Sequence, residues 1–176
     1  IPPNTDLNFS EARRAYLQFV IDPIILANSK EVATIRDGVR KLLADLRAAD
    51  ANVSPDVYLT ISRSLVAAVD ARQAEDERVK IATAQAREKI LTLKTDDEKR
   101  AFAAQLDAFK RTQADETILR LSEDYEKGAV LVFYFADQIK GIEDSQFDIA
   151  ASMREILLAM DPAKEAGRYA SYADAR

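Results

Sequence analysis

Between Pro55 and Gly128 the chain contains neither glycine nor proline. The interval is rich in Ala, Leu, Glu, Lys, Arg and Gln, the residues that lose least on entering a helix. Strands have no place in it, so the predicted fold class is all-α. A single helix through this stretch would extend roughly 110 Å at 1.5 Å per residue. The expected alternative is a reversal at "TDDE", residues 95–98. Thr95 there can accept from the third helical N–H while Glu98 reaches back to the backbone of Thr95, the reciprocal capping box. The predicted arms of this antiparallel hairpin are about 55–94 and 96–140.

The first arm opens at Ser54-Pro55-Asp56. Ser54 is expected as the cap, Pro55 at the first helical position where its missing donor costs nothing, and Asp56 beside the positive dipole end. Ile61, Leu65, Ala68 and Val69 form one stripe, and Val79, Ala82, Ala86, Ile90 and Leu93 resume it. On the second arm Phe102, Leu106 and Phe109 are followed by "KRTQADET", then by Ile118, Leu121, Tyr125, Ala129, Val132 and Phe133. "AVLVFYFA", residues 129–136, is apolar all round but much shorter than the roughly 20 residues of a membrane span. It reads as buried helix, and no transmembrane span is expected.

Two further segments flank the hairpin. Ser10 is a plausible cap for a helix carrying Phe9, Ala12, Tyr16, Phe19 and Val20. Asp22-Pro23 should interrupt it before Ile24, Leu26, Val32, Ile35, Val39, Leu42, Leu43 and Leu46 continue the pattern, as one kinked helix or two consecutive ones. Gly141 and "GIEDS" should end the long second arm. A last helix is expected from about Ser145 through Phe147, Ile149, Met153, Ile156, Leu157 and Met160, stopping at Asp161-Pro162. The expected architecture is an up-down-up-down four-helix bundle with a kinked first helix, a single helical-bundle domain over residues 1–176.

With the reversal at Thr95, "RQAEDER" at 72–78 lies opposite "RTQADET" at 111–117, so both arms lose their apolar seam at one height. Either the bundle continues and contains a polar layer, or it ends there and residues 79–110 project as a slim hairpin tip. Burying Glu75, Asp76, Glu77, Arg78, Arg111, Asp115 and Glu116 would cost several kcal/mol per unpaired ion. Solvation of this waist is therefore expected. Phe102 and Phe109 near the tip read as hairpin seam or as anchors for a partner, because a two-helix arm cannot fully bury large rings. Tyr169 and Tyr172 in the tail either anchor a partner or close the bundle.

Composition narrows the chemistry. The chain has no histidine and no cysteine, which removes imidazole acid–base catalysis, thiolate metal sites and disulfides. Tryptophan is absent, so the aromatic rim of a sugar cleft is not expected. No catalytic, cofactor or metal site is predicted, and the protein is not expected to be an enzyme. Its formal charge of −5 argues against nucleic acid. A 48% apolar and 31% charged composition is that of an ordered chain with a real core.

The segment "YLQFVIDPIILANSKEVATIRDGVRKLL", followed by further helices after a "PP" near the start, resembles the Q-type extrinsic subunits of photosystem II. Those are small lumenal four-helix bundles that brace the water-oxidising side of a membrane complex. The resemblance is one of architecture and transfers no functional residue. It implies a non-catalytic accessory or scaffold subunit docking on a larger, membrane-embedded and photosynthetic complex. The competing expectation is an extracytoplasmic four-helix-bundle ligand sensor of a membrane receptor. Ile1 followed by Pro2 and Pro3 suggests a processed, exported or organelle-targeted chain, with thylakoid lumen or periplasm as the expected location.

Overall fold

The reversal at Thr95 organises the molecule. In the computed structural model, which describes residues 9–145 and 148–175, helix α3 (Val57–Thr92) runs up to this turn and α4 (Asp96–Glu126) runs back. Thr95 Oγ accepts from Glu98 N at 3.2 Å, and Glu98 Oε2 accepts from Thr95 N at 3.0 Å and Lys94 N at 3.1 Å. These bonds hold the Glu98 carboxyl below its ordinary range, the backbone of Thr95 contributing most. The described residues are all helical or in turns, with no strand.

Helix α3 starts two residues later than expected. Asp56, not Ser54, is its cap, accepting from Leu59 N at 3.2 Å, while Ser54 Oγ accepts from Asp56 N at 3.2 Å. Pro55 therefore lies in the turn before the cap. Ahead of it, α1 (Phe9–Ala27) continues through Pro23 and breaks at Asn28, from which α2 (Ser29–Ala49) departs. The two-helix reading holds, but the break falls five residues after the proline. Pro23 and Phe19 are both exposed, so the hydrogen bond that proline deletes is on the watery side, where solvent can replace it.

The second arm ends at Glu126 instead of continuing to about 140. Gly128, at φ +100°, is the reason. Gly128 N donates to Tyr125 O at 2.9 Å and Ala129 N to Asp124 O at 3.0 Å, the paired bonds of a Schellman terminator. Helix α5 (Val132–Ser145) then turns back along α3 and passes through Gly141. Leu131 N meets Ser64 Oγ at 3.3 Å and Glu143 meets Arg72 at 2.8 Å, so α5 and α3 run parallel. Asp148 caps α6 (Ile149–Ala159), so the last helix starts beyond Ser145, and Asp161 caps the short α7 (Pro162–Glu165) before a 3-10 segment at Tyr169–Ala175. Ile1, Pro2, Pro3 and Phe147 lie outside the described residues.

The core gathers where α1, α2 and α5 pack on the first half of α3 and α6 closes over α1, α2 and α5. Ile25, Val32, Val39, Leu43, Ile61, Leu65, Leu131, Phe135, Met153 and Leu157 are nearly inaccessible, and all of residues 129–136 are buried. Tyr134 is accommodated there by donating to Ile156 O at 2.5 Å, and burial, followed by the charge of Glu165, pushes its hydroxyl up to about 12. Helix α2 crosses α7 so closely that a β-carbon on Gly38 would lie 2.3 Å from Cγ of Pro162. No helix among the described residues is long and apolar enough to cross a membrane.

Replacing Gly128 with Ala should cost about 1–2 kcal/mol, because an L side chain is strained at this φ and its β-carbon would press on Val53 at 3.0 Å. A urea unfolding curve measures this; an unchanged midpoint would show that α4 tolerates another ending.

Candidate functional site

The polar interval in the hairpin has two levels, and they are built differently. At the lower level lies Asp70, whose side chain has no solvent exposure. Arg13 donates to its Oδ1 at 2.5 Å, Arg14 to its Oδ2 at 2.7 Å, and Ser10 adds a bond at 3.3 Å. The same Arg14 spans to α4 with its two terminal nitrogens, each 2.8 Å from an oxygen of Asp124. One guanidinium thus joins α1, α3 and α4. Lower on the same seam Ser62 donates to Asp22 at 2.5 Å, so α1 descends antiparallel to α3.

The electrostatics follow from burial and pairing together. Burial works against the charge on Asp70, but the bonds and charges of Arg14 and Arg13 outweigh it, so its carboxyl is held below the ordinary 3.8. Arg14 is pushed higher still above the guanidinium range, first by its bond to Asp124 and, against its burial, by Asp70. The cluster is a clamp between helices.

The upper level is solvated. Glu77, Arg78, Arg111, Asp115 and Glu116 are exposed and Asp76 is half-buried, whereas Glu75 is largely buried against Arg72 with 16% of its side chain exposed. Arg72 pairs with Glu75 at 2.9 Å and with Glu143 on α5 at 2.8 Å. Arg78 joins α3 to α4 through Gln113 at 3.0 Å and Glu116 at 2.8 Å, both within the expected facing segment 111–117. Asp70 and Asp124 were the missed residues. The available signal was a lone aspartate in "LVAAVDA", an acid set within an otherwise apolar helical face.

Beyond this level, from Val79 to Lys110, Ala86 is the single buried residue. Phe102 and Phe109 are brought together here. They line a groove of about 700 Å³ between the arms with Ile81, Ala82, Ala86 and Leu106, and Arg78 and Lys89 stand among its walls. Phe109 is 38% exposed, Ile81 59% and Leu91, close to the turn, 87%. Small residues at Ala82 and Ala86 leave the space that the rings do not fill.

Tyr169 and Tyr172 lie elsewhere, about 24 Å along α4 from Phe109 to Tyr125 at 1.5 Å per residue. Tyr169 stacks on Tyr125 with ring centres 4.4 Å apart and donates to Glu126, while Tyr172 stacks on Phe133 at 4.5 Å. Both pack against the core. Arg168 completes this end by pairing with Asp137 and, at 2.7 Å, with the buried Glu165, whose carboxyl is raised by burial against the opposing pull of Arg168. Tyr169 also forms one wall of a cleft of about 600 Å³ with Leu42, Leu46 and Pro162. Among the described residues no group of three or more acidic side chains is arranged to hold a metal ion.

No family model, curated protein or solved structure matches this chain significantly. Its functional reading therefore stands on the geometry.

Removing Arg14 as Met leaves a fully buried carboxylate with fewer donors and should destabilise the fold by about 3 kcal/mol. Asp70→Asn should cost less, since the two arginines it releases are partly exposed and can turn to water. A depressed carboxyl contributes stability above its unfolded value and loses it as pH falls through the lower folded value. Stability should thus fall below about pH 4, and Asp70→Asn should flatten that part of the curve. Urea midpoints measured across acid pH for the parent and both variants provide the check.

Proposed function

We propose that the protein is a non-catalytic helical accessory subunit that docks on a larger complex through its hairpin tip. In this reading α1, α3, α4 and α5 form a four-helix body with α2, α6 and α7 laid against it, and residues 79–110 project beyond the clamp at Asp70. One observation carries the proposal: a two-helix arm with one buried residue presents Phe102, Phe109, Ile81 and Leu91 on its surface. At about 25 cal/mol per Å² of apolar surface, covering such side chains supplies a substantial share of a stable association.

The tail contributes differently. Tyr169 and Tyr172 hold the C-terminal segment onto the body, so any contact they make with a partner would be through their outer edges. An accessory role on a membrane-embedded assembly, in a thylakoid lumen or periplasm, is the extension of this proposal suggested by the likeness to Q-type extrinsic subunits.

Replacing Phe102 and Phe109 together with Ala should reduce recovery of the native complex by about tenfold or more, in line with the loss of two aromatic anchors. Helical content by far-ultraviolet circular dichroism should change little. Undiminished association would remove the tip from the interface, and a general loss of helicity would make the rings structural.

A further inference from the structure

The tip has a charge as well as a shape. Residues 79–110 carry seven basic and five acidic residues, whereas the rest of the chain carries eighteen and twenty-five. A positive arm is thus mounted on a negative body. Three of the five acids, Asp96, Asp97 and Glu98, sit in the turn itself, where they serve the start of α4. Asp96 and Asp97 lie near Lys99 and Arg100, at 3.9 and 3.6 Å, while Glu98 is bound to the backbone. Arg87, Lys89, Lys94 and Lys110 form no ion pair among the described residues. The walls of the groove include Lys89, one of these four, and Arg78, which is bound to Glu116, and no carboxylate.

The groove has the form of a missing helix. Phe102, Gln105, Leu106 and Phe109 recur at helical spacing on α4, and Ile81, Ala82, Gln85, Ala86 and Lys89 do so on α3. Two antiparallel helices lined in this way accept a third between them, its apolar stripe on the rings and its flanks beside the cations. Taking the docking role of the tip as its premise, we infer that the occupant is an acidic amphipathic helix of a partner protein. Apolar residues at i, i+3, i+4 and i+7 enter the groove, and a flanking carboxylate meets Lys89, the lining cation that forms no ion pair among the described residues. Charge separates this occupant from the others. A second copy pairing arm to arm would bring two net-positive segments together, and an anionic lipid surface would meet Asp96, Asp97 and Glu98 first at the turn.

A displayed library of randomised helical peptides of about 20 residues, panned against the full chain and counter-panned against Ile81→Asp, tests the inference. Ile81 is largely exposed, so this variant should keep the parent's helical content. Enriched peptides should be net negative with an apolar stripe, and their binding should weaken about tenfold with Lys89→Glu and with rising salt. Recovery of affinity for the Lys89→Glu variant, on placing lysine at the facing position of the peptide, would complete the assignment. Groove-dependent peptides that are neutral or basic would overturn the acidic partner while leaving the docking role intact. Absence of any groove-dependent peptide would overturn both. Self-association in sedimentation velocity, or capture by phosphatidylserine vesicles, that depends on Ile81 and Lys89 would replace the acidic helix by a second copy or a membrane.

Discussion

Asp70 is a carboxylate without access to water, and a buried ion of this kind persists only if its partners are held in place. Two consecutive residues of α1, Arg13 and Arg14, supply the charge, and Arg14 passes the connection on to Asp124 of α4. The clamp fixes the sliding position of α1 against α3 and of α4 against both. Apolar packing alone would specify that register poorly, because around Asp70 the buried residues of α3 are Val66, Ala67, Ala68, Ala71 and Ala74, side chains too small and too similar to interlock in one way only. The aliphatic core below supplies the bulk of the favourable burial. The ion cluster selects one alignment among several that burial would permit.

The same cluster marks a change in construction. Below it α3 is surrounded, and two thirds of the residues in its first half are buried. Above it the ion pairs are exposed and α3 keeps α4 as its companion, with a groove in place of a third neighbour. A helix with one companion buries one narrow stripe and one with several buries most of its circumference. The charged interval at 72–78 begins just beyond the buried cluster at Asp70 and occupies this transition.

Much of this was legible from residue order. The capping box at Thr95 could be read because its four residues bond to one another and need no distant partner. The burial of residues 129–136 followed from an apolar run too short for a membrane. Other features depended on contacts between distant parts of the chain. Pro23 suggested a break, yet α1 continues because that face is exposed. Gly128 resembled Gly141 in sequence, but the first occupies a left-handed terminator and the second lies within α5. Phe102 and Phe109 were recognisable as half-buried rings, whereas Ile81 and Lys89 became interesting only when α3 was set beside them. Asp70 could be suspected as an anomaly, but its arginines are more than fifty positions away.

Helix α3 passes from the crowded body into the slender arm without a glycine, a proline or a break. Its 36 residues form a strut of about 54 Å whose lower half is gripped on several sides. Such an element has no ready hinge between its two halves. Whatever seats on the far end would be held at a set distance and bearing from the body, and a sideways load there would be felt as torque on the packed aliphatic residues at its base.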